Sequence, residues 1–291
     1  MRVLVTGASG QIGRYVVRDL VQAGHQVTGV DVVPARVPGV RSMLVDVVDA
    51  GQVYQVLADS QAEAVIHLGS WSGRLVVPAS RTFGDNVRGT FNVFQACADL
   101  GVRRVIWASS NHVYGVIKAP PLYVPIDEAH PLRPADAYAL SKVVGEQTAD
   151  YFVAQHGLEI LSFRLMGVRV PSRLGAEIER VARAPGEGVH LLWTRTDARD
   201  AATACRLAVE AKDVEPGPYN ITGRQVVLEE DSATLVRRYF GDQVEIREGL
   251  IGRASPLSCK RAEEAFGYRP RYDWSVNQRY PEEGEPCEGQ T

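Results

Sequence analysis

VLVTGASGQIG, residues 3–13, runs a β-branched apolar segment straight into three glycines, Gly7, Gly10 and Gly13, at GxxGxxG spacing. The apolar run reads as a strand, and the residues from Ile12 onward read as the opening of a helix. Glycines in such a strand-to-helix turn allow a sharp reversal, close approach of backbone to a pyrophosphate, and tight packing of helix on strand. The helix N-terminus then faces the anion. A glycine turn of purely structural use has no need of this placement between a first strand and a first helix. Gly7, Gly10, Gln11, Ile12 and Gly13 are therefore assigned to a bound dinucleotide.

Outward from this turn, short apolar runs alternate with segments of helical period. Strands are expected at 3–7, 26–31, 42–46, 64–69, 104–110 and 159–165, and helices at 12–23, 51–59, 85–100 and 137–156. Gly24, Gly101 and Gly157 close three of those helices. Such alternation implies parallel strands joined by crossover helices, an α/β doubly wound sheet covered on both faces. After residue 165 the pattern breaks into Pro- and Gly-rich connections, with helices expected at 173–184, 199–211, 229–240 and 260–266 and short strands near 189–193, 219–221 and 244–247. The expected organisation is a nucleotide-binding unit over 1–165, joined by late sheet elements from 189–221. A small interleaved cap follows over 166–280, and a disordered, glutamate-rich tail over 281–291.

The 291 residues are 45% hydrophobic and 23% charged, enough for a full-sized soluble core. A net charge of −3 argues against nucleic acid or an anionic membrane surface as partner. No run of eighteen apolar residues is present and Met1-Arg2 leads directly into the first strand, so a cytoplasmic location is expected. Cys97, Cys205, Cys259 and Cys287 are far apart without ligand spacing, which predicts free thiols and no metal.

The second strand ends at Asp31, 18 residues beyond Gly13. A carboxylate there accepts from a ribose diol and repels a 2′-phosphate, so the cofactor is expected to be NAD; Arg36 pulls the other way. Asp46, ending the third strand, is placed to reach the adenine.

A nicotinamide cofactor gives a task to AYALSK, residues 137–142. Tyr138 and Lys142 lie at i and i+4 on one helix face. Oxidising a carbinol needs a base for the hydroxyl proton, and a tyrosinate can serve. Ionising a tyrosine at pH 7 needs about 4 kcal/mol. An ammonium at about 4 Å supplies energy of that order at an effective dielectric of about 20. Ser110, at the carboxyl end of the fifth strand, can donate to the same substrate oxygen.

With these elements in order, the chain resembles the extended short-chain dehydrogenase/reductase family, the NAD-dependent epimerase/dehydratase group, over essentially its whole length. TGASGQIG, HLGS (67–70), DNVRGTFNVFQAC (85–97), SSNHVYG, YALSK and WTRTDARDAATAC (193–205) resemble that family's successive motifs. The resemblance implies a Rossmann fold of about seven strands with a small C-terminal α/β substrate domain, and Ser110, Tyr138 and Lys142 as the catalytic set. It further implies cofactor contacts from Val47, Leu68, Gly69, Ser70, Asn86, Tyr138 and Lys142, and a homodimer through the helices at 85–100 and 137–156.

Three departures narrow the choice. Asn111 and His112 follow the serine where the family's dehydratases carry acids. Only thirty residues separate Gly167 from Asp197, too few for the segment that wraps a nucleotide diphosphate, and Gly167 stands where the epimerases carry Asn. SSNH with a short cap resembles the uronate dehydrogenases, which oxidise free hexuronic acids with NAD, and this makes Asn111 and His112 substrate contacts. Arg164, Arg169 and Arg173 lie near the position of those enzymes' carboxylate-binding arginine, but none sits in a matching motif. The expected function is NAD-dependent oxidation of a small sugar or uronic acid. A nucleotide-sugar 4-epimerase with retained NAD and a non-catalytic NAD sensor are the alternatives.

Overall fold

The computed structural model describes residues 1–34, 37–72 and 77–281. Arg36 and the tail expected to be disordered, from 282 onward and including Cys287, lie outside the described residues. The first half runs β1 (Arg2–Thr6), α1 (Gly13–Gln22), β2 (Gln26–Asp31), β3 (Arg41–Leu44), α2 (Ala50–Ser60), β4 (Ala64–His67), α3 (Ala79–Leu100) and β5 (Arg104–Ser110). A 3-10 turn at Asn111–Tyr114 leads to β6 (Tyr123–Val124), α4 (Ala137–His156) and β7 (Glu159–Leu165). Beyond lie β8 (Val168–Arg169), α5 (Pro171–Arg183), β9 (Thr196–Asp197), α6 (Ala198–Glu210), β10 (Gly217–Ile221), α7 (Ser232–Phe240), β11 (Glu245–Ile246) and α8 (Lys260–Phe266).

Seven strands form one sheet in the order β10-β7-β5-β4-β1-β2-β3, and every pairing in it is parallel. Alternation along β1 divides its side chains between two cores. Val3 and Val5 pack with Val16, Leu20, Ile106, Phe163 and α6 on one face. Leu4 packs with Val56, Val65, Phe94, Trp107 and Phe152 on the other. The central strands are buried almost throughout, as a sheet covered on both faces requires. A third core gathers Val113, Ile178, Trp193, Val226, Leu235, Leu257 and Trp274, largely from the segments after β7.

Local chemistry sets the helix ends. Asp49 caps α2 by accepting from Gln52 N, and Asp136 caps α4 by accepting from Ala139 N. Gly101 and Gly157 end α3 and α4 in the left-handed region. α4 lies close on β5 because Gly145 has no side chain: a Cβ there would overlap the Trp107 ring.

Two expectations fail for physical reasons. The strand expected at 189–193 is a 3-10 helix, Pro185–Leu191, followed by Leu192 and Trp193 at φ 50° and 54°. Gly186 and Gly188 lie within this helix, and the buried Trp193 holds it by donating from Nε1 to Pro185 O at 2.7 Å. The third helix starts at Ala79 rather than 85 and carries Gly84 inside it, at a cost of about 1 kcal/mol relative to alanine. Of the late elements between 189 and 221, β10 joins the large sheet, whereas β9 pairs with β8 in a separate two-stranded sheet.

Candidate active site

The glycine turn and the end of β4 are fitted to each other. Gly7 has φ +69°, and a Cβ on it would stand 2.7 Å from Gly69 N. A Cβ on Gly13 would overlap the Gly7 carbonyl. Thr6 Oγ1 accepts from Gly69 N at 3.1 Å and lies 2.6 Å from His67 Nδ1, an arrangement that leaves the hydroxyl proton for the imidazole. Burial and the nearby Lys142 lower the His67 pKa to about 3, so this imidazole is neutral.

Beside the turn, Asp31 accepts from Ser9 N at 3.0 Å and from Val32 N at 2.7 Å, which fixes its carboxylate at the end of β2. Asp46 accepts from Val48 N at 2.9 Å. Val47 packs on α3 at Gly89, where a Cβ would approach it to 2.9 Å. These residues form a strip along the carboxyl ends of β1, β2 and β3, the edge at which a doubly wound sheet binds ligands.

At the next strand ends, Ser110 closes β5 and caps the 111–114 turn, with Oγ accepting from His112 N at 3.2 Å. Tyr138 lies in the first turn of α4, near enough to Ser110 for that hydroxyl to act on its pKa. The His112 ring meets the Tyr138 ring edge-on at 5.7 Å, and Asn111 is buried at the start of the same turn. Lys142 is 2% exposed, and its Nζ donates to Ala108 O at 2.8 Å and to Ser70 Oγ at 3.2 Å. That nitrogen stands 5.5 Å from the centre of the Tyr138 ring.

Burial dominates the electrostatics of the pair. Burial raises the Tyr138 pKa, Ser110 opposes it, and Asp136 adds to it. Burial also lowers Lys142 to about 7, so its ammonium is only partly charged at neutral pH. Burial thus works against the charged form of both groups.

Asn86 is already fully engaged. Its Oδ1 accepts from Trp71 N at 2.8 Å, and its Nδ2 donates to Trp71 O at 3.0 Å and Ser141 Oγ at 3.1 Å. It braces the loop after Ser70 against α4. Arg164 points into the protein, paired to Glu146 at 2.7 Å, and Arg169 is paired to Glu177 at 2.6 Å. The sequence did not reveal Glu177's second partner, the buried Arg195, at 2.7 Å. Nor did it single out Glu146, although its place four residues beyond Lys142 was the available signal. Among the described residues no group of three or more His, Cys, Asp or Glu could hold a metal ion.

A uronate dehydrogenase of Pseudomonas syringae pv. tomato is 32% identical over 168 residues, covering 56% of this chain and 58% of that protein. A UDP-glucose 4-epimerase of Azospirillum brasilense is 31% identical over 204 residues, covering 66% and 55%. The chain thus spans less than two thirds of the length of these curated relatives. L-arabinose 1-dehydrogenase (NAD(P)(+)) of Haloferax volcanii is 29% identical over 223 residues, covering 72% and 83%. Among solved structures, a short-chain dehydrogenase/reductase superfamily protein of Agrobacterium tumefaciens with bound NAD superposes with a TM-score of 0.71 at 23% identity, covering 93% of this chain and 92% of that one. MoeE5 in complex with UDP-glucuronic acid and NAD gives 0.69 at 26%, covering 93% and 94%. The family model for the NAD dependent epimerase/dehydratase family matches residues 3–222, a span that contains the glycine turn, Asp31, Ser110, Tyr138 and Lys142. The chain belongs to the NAD dependent epimerase/dehydratase family.

Proposed function

We propose that this protein is an NAD-dependent dehydrogenase that oxidises a carbinol of a small free sugar or uronic acid. The observation that carries this is the meeting of Ser110, Tyr138 and Lys142 with Asn111 and His112, in place of acids, on the adjoining turn. The uronate and arabinose dehydrogenases among the relatives support the same class of substrate.

The residues present fit a dinucleotide. Side chains at Gly7 and Gly13 would close the turn, and the Asp31 carboxylate retains lone pairs for a ribose diol. Gly7, Gly10, Gln11, Ile12 and Gly13 would hold the pyrophosphate; Asp31, Asp46 and Val47 the adenosine; Leu68, Gly69, Ser70, Tyr138 and Lys142 the nicotinamide half. NAD, when bound, supplies the hydride acceptor and a positive charge beside the phenol. Tyr138 takes the hydroxyl proton as hydride leaves the carbinol carbon, and Ser110 donates to the same oxygen. Lys142, anchored by Ala108 and Ser70, would help hold the cofactor ribose and, when charged, would favour the phenolate. Asn111 and His112 orient the sugar, and Asn86 keeps the Ser70 loop against α4.

The third core, after β7, would form the substrate side of the cleft. A second copy of the chain is the proposed partner across α3 and α4, which leave Phe91 45%, Leu140 43% and Tyr151 52% exposed. The proposed setting is the cytoplasm; among the described residues no helix is long and apolar enough to cross a membrane.

The test is a screen of free sugars and uronates for reduced-nicotinamide absorbance. Turnover that falls by about 10²–10⁴-fold in Tyr138→Phe, with sugar binding retained, is expected. No turnover of any free sugar would sink the proposal. The 4-epimerase among the relatives favours a second reading, a nucleotide-sugar epimerase. Against it stand Gly167 and the thirty residues to Asp197. Tightly copurifying NAD and interconversion of UDP-sugars would decide for the epimerase.

A further inference from the structure

Glu146 lies one turn beyond Lys142 and two beyond Tyr138 on the same face of α4. Its carboxylate has no part in the proposed proton transfer, yet it is buried and fully used. Oε1 accepts from Ser109 Oγ at 2.6 Å and from Arg164 Nε at 2.9 Å, and Oε2 accepts from Arg164 Nη2 at 2.7 Å. Ser109 and Arg164 stand opposite each other in the β5–β7 register. Arg164 Nη1 donates to Tyr114 OH at 2.9 Å and to Glu128 O at 3.0 Å. The Tyr114 hydroxyl in turn donates to Asn220 Oδ1 at 2.7 Å.

This network reaches every element that bears a reactive or sugar-facing group. It holds β5 one residue before Ser110, α4 one turn after Lys142, and the 111–114 turn at its last residue. A buried ion pair is a poor source of net stability, because desolvation offsets its Coulomb gain. Its fixed bidentate geometry can instead select one arrangement of the elements it joins.

We infer that Glu146 and Arg164 are positioning residues that hold the Tyr138–Lys142 face of α4 over Ser110 and set the Asn111–His112 turn against it. This rests on the proposal that Ser110, Tyr138 and Lys142 perform the chemistry. The Glu146→Met/Arg164→Met double variant removes both charges together and leaves neither stranded. It is expected to keep its fold, its melting temperature and its affinity for NAD, while kcat falls about 10- to 100-fold, as for a displacement of about 1 Å. Two single variants separate the arms. Ser109→Ala lowers kcat with KM unchanged, and Tyr114→Phe raises KM more than it lowers kcat.

A readout independent of substrate is the tyrosinate absorbance of NAD-loaded protein, taken as the difference from Tyr138→Phe in the same background. Its midpoint moves to higher pH in the double variant as the phenol leaves Ser110 and Lys142. If the double variant does not fold, Arg164→Lys keeps the charge but loses the fork, and is expected to show the same fall in kcat and rise in midpoint. A wild-type midpoint and wild-type kcat in whichever of these variants folds would overturn the inference, whatever its melting temperature. If no sugar is turned over by the wild type, the proposed function fails, and the tyrosinate midpoint still decides this one.

Discussion

The glycine turn after β1 and the 3-10 segment before β9 are both short, glycine-containing and tightly packed, yet only the first was legible in the sequence. At the first turn, the atoms that constrain Gly13 belong to Gly7 and Ala8, six and five residues away. At the second, the neighbours that crowd Gly188, Trp193 and Val181, are five and seven residues away, but Trp193 packs in turn on Tyr239 and Phe240 of α7, more than forty residues further on. A local pattern reveals conformation where the constraint is local. It fails where a distant helix supplies the partner.

The largest expected effect sharpens that contrast. Gly13→Ala puts a methyl group into the Gly7 carbonyl, which backbone alone must accommodate. Overpacking of this severity costs about 3 kcal/mol or more, and the turn must open to relieve it. Calorimetric titration is expected to give a Kd for NAD raised about hundredfold or more, with the substrate side of the molecule unaltered. NAD affinity within a few-fold of wild type would mean that the turn is not the phosphate site.

Next comes the helix pair that gives the sequence its chemistry. The Lys142 pKa is lowered to about 7 by burial, far below its value in an unfolded chain. Between these two values the unfolded chain binds the extra proton, so stability rises with pH across that window; below about 7 the whole cost of burying the ammonium is present. Lys142→Met removes this cost, which is on the order of a few kcal/mol. The variant is expected to melt above wild type at pH 6, with the gap closing as pH rises toward 10, while turnover is lost. A gap independent of pH would show that the ammonium is not desolvated, and that the site carries no stored instability.

How far the sequence could be read follows the same division. Asp31 and Ser110 could be placed at strand ends because those ends are marked by local pattern. Tyr138 and Lys142 could be placed on one face because helical spacing brings them together. The pairing of Glu146 with Arg164 joins a helix to a strand, and no periodicity announces it. Asn86 was identified, but its partners Trp71 and Ser141 exist only once α3 packs on α4. The desolvation of Tyr138 and Lys142 was not legible, because burial is a property of the assembled layers.

In the cap, Gly188→Ala brings a methyl group within 2.6 Å of Trp193 Cδ1 and 2.9 Å of Val181 Cγ1. These are side chains, which can shift where backbone cannot, so about 1–3 kcal/mol of destabilisation is expected in chemical denaturation. The Kd for NAD should not change. A parallel loss of NAD affinity would break the comparison, because it would make the third core part of the nucleotide side.

The smallest effect tests whether the cap is as locally specified as the sheet where its constraints are local. α7 starts with Asp231, whose Oδ1 accepts from Thr234 N at 3.0 Å. α2, beneath the sheet, starts with Asp49, which accepts from Gln52 N at 3.2 Å. Replacing either aspartate by alanine removes one acceptor from an otherwise unpaired helix N–H and costs about 1 kcal/mol. Both contacts are exposed and lie within three residues of sequence. Asp231→Ala and Asp49→Ala should therefore lower stability by equal amounts and leave turnover untouched. Unequal losses in matched denaturation curves would mean that α7 depends on the third core more than on its own cap. The difference between the two regions would then lie in how their helices are held, and not only in which of their turns can be read.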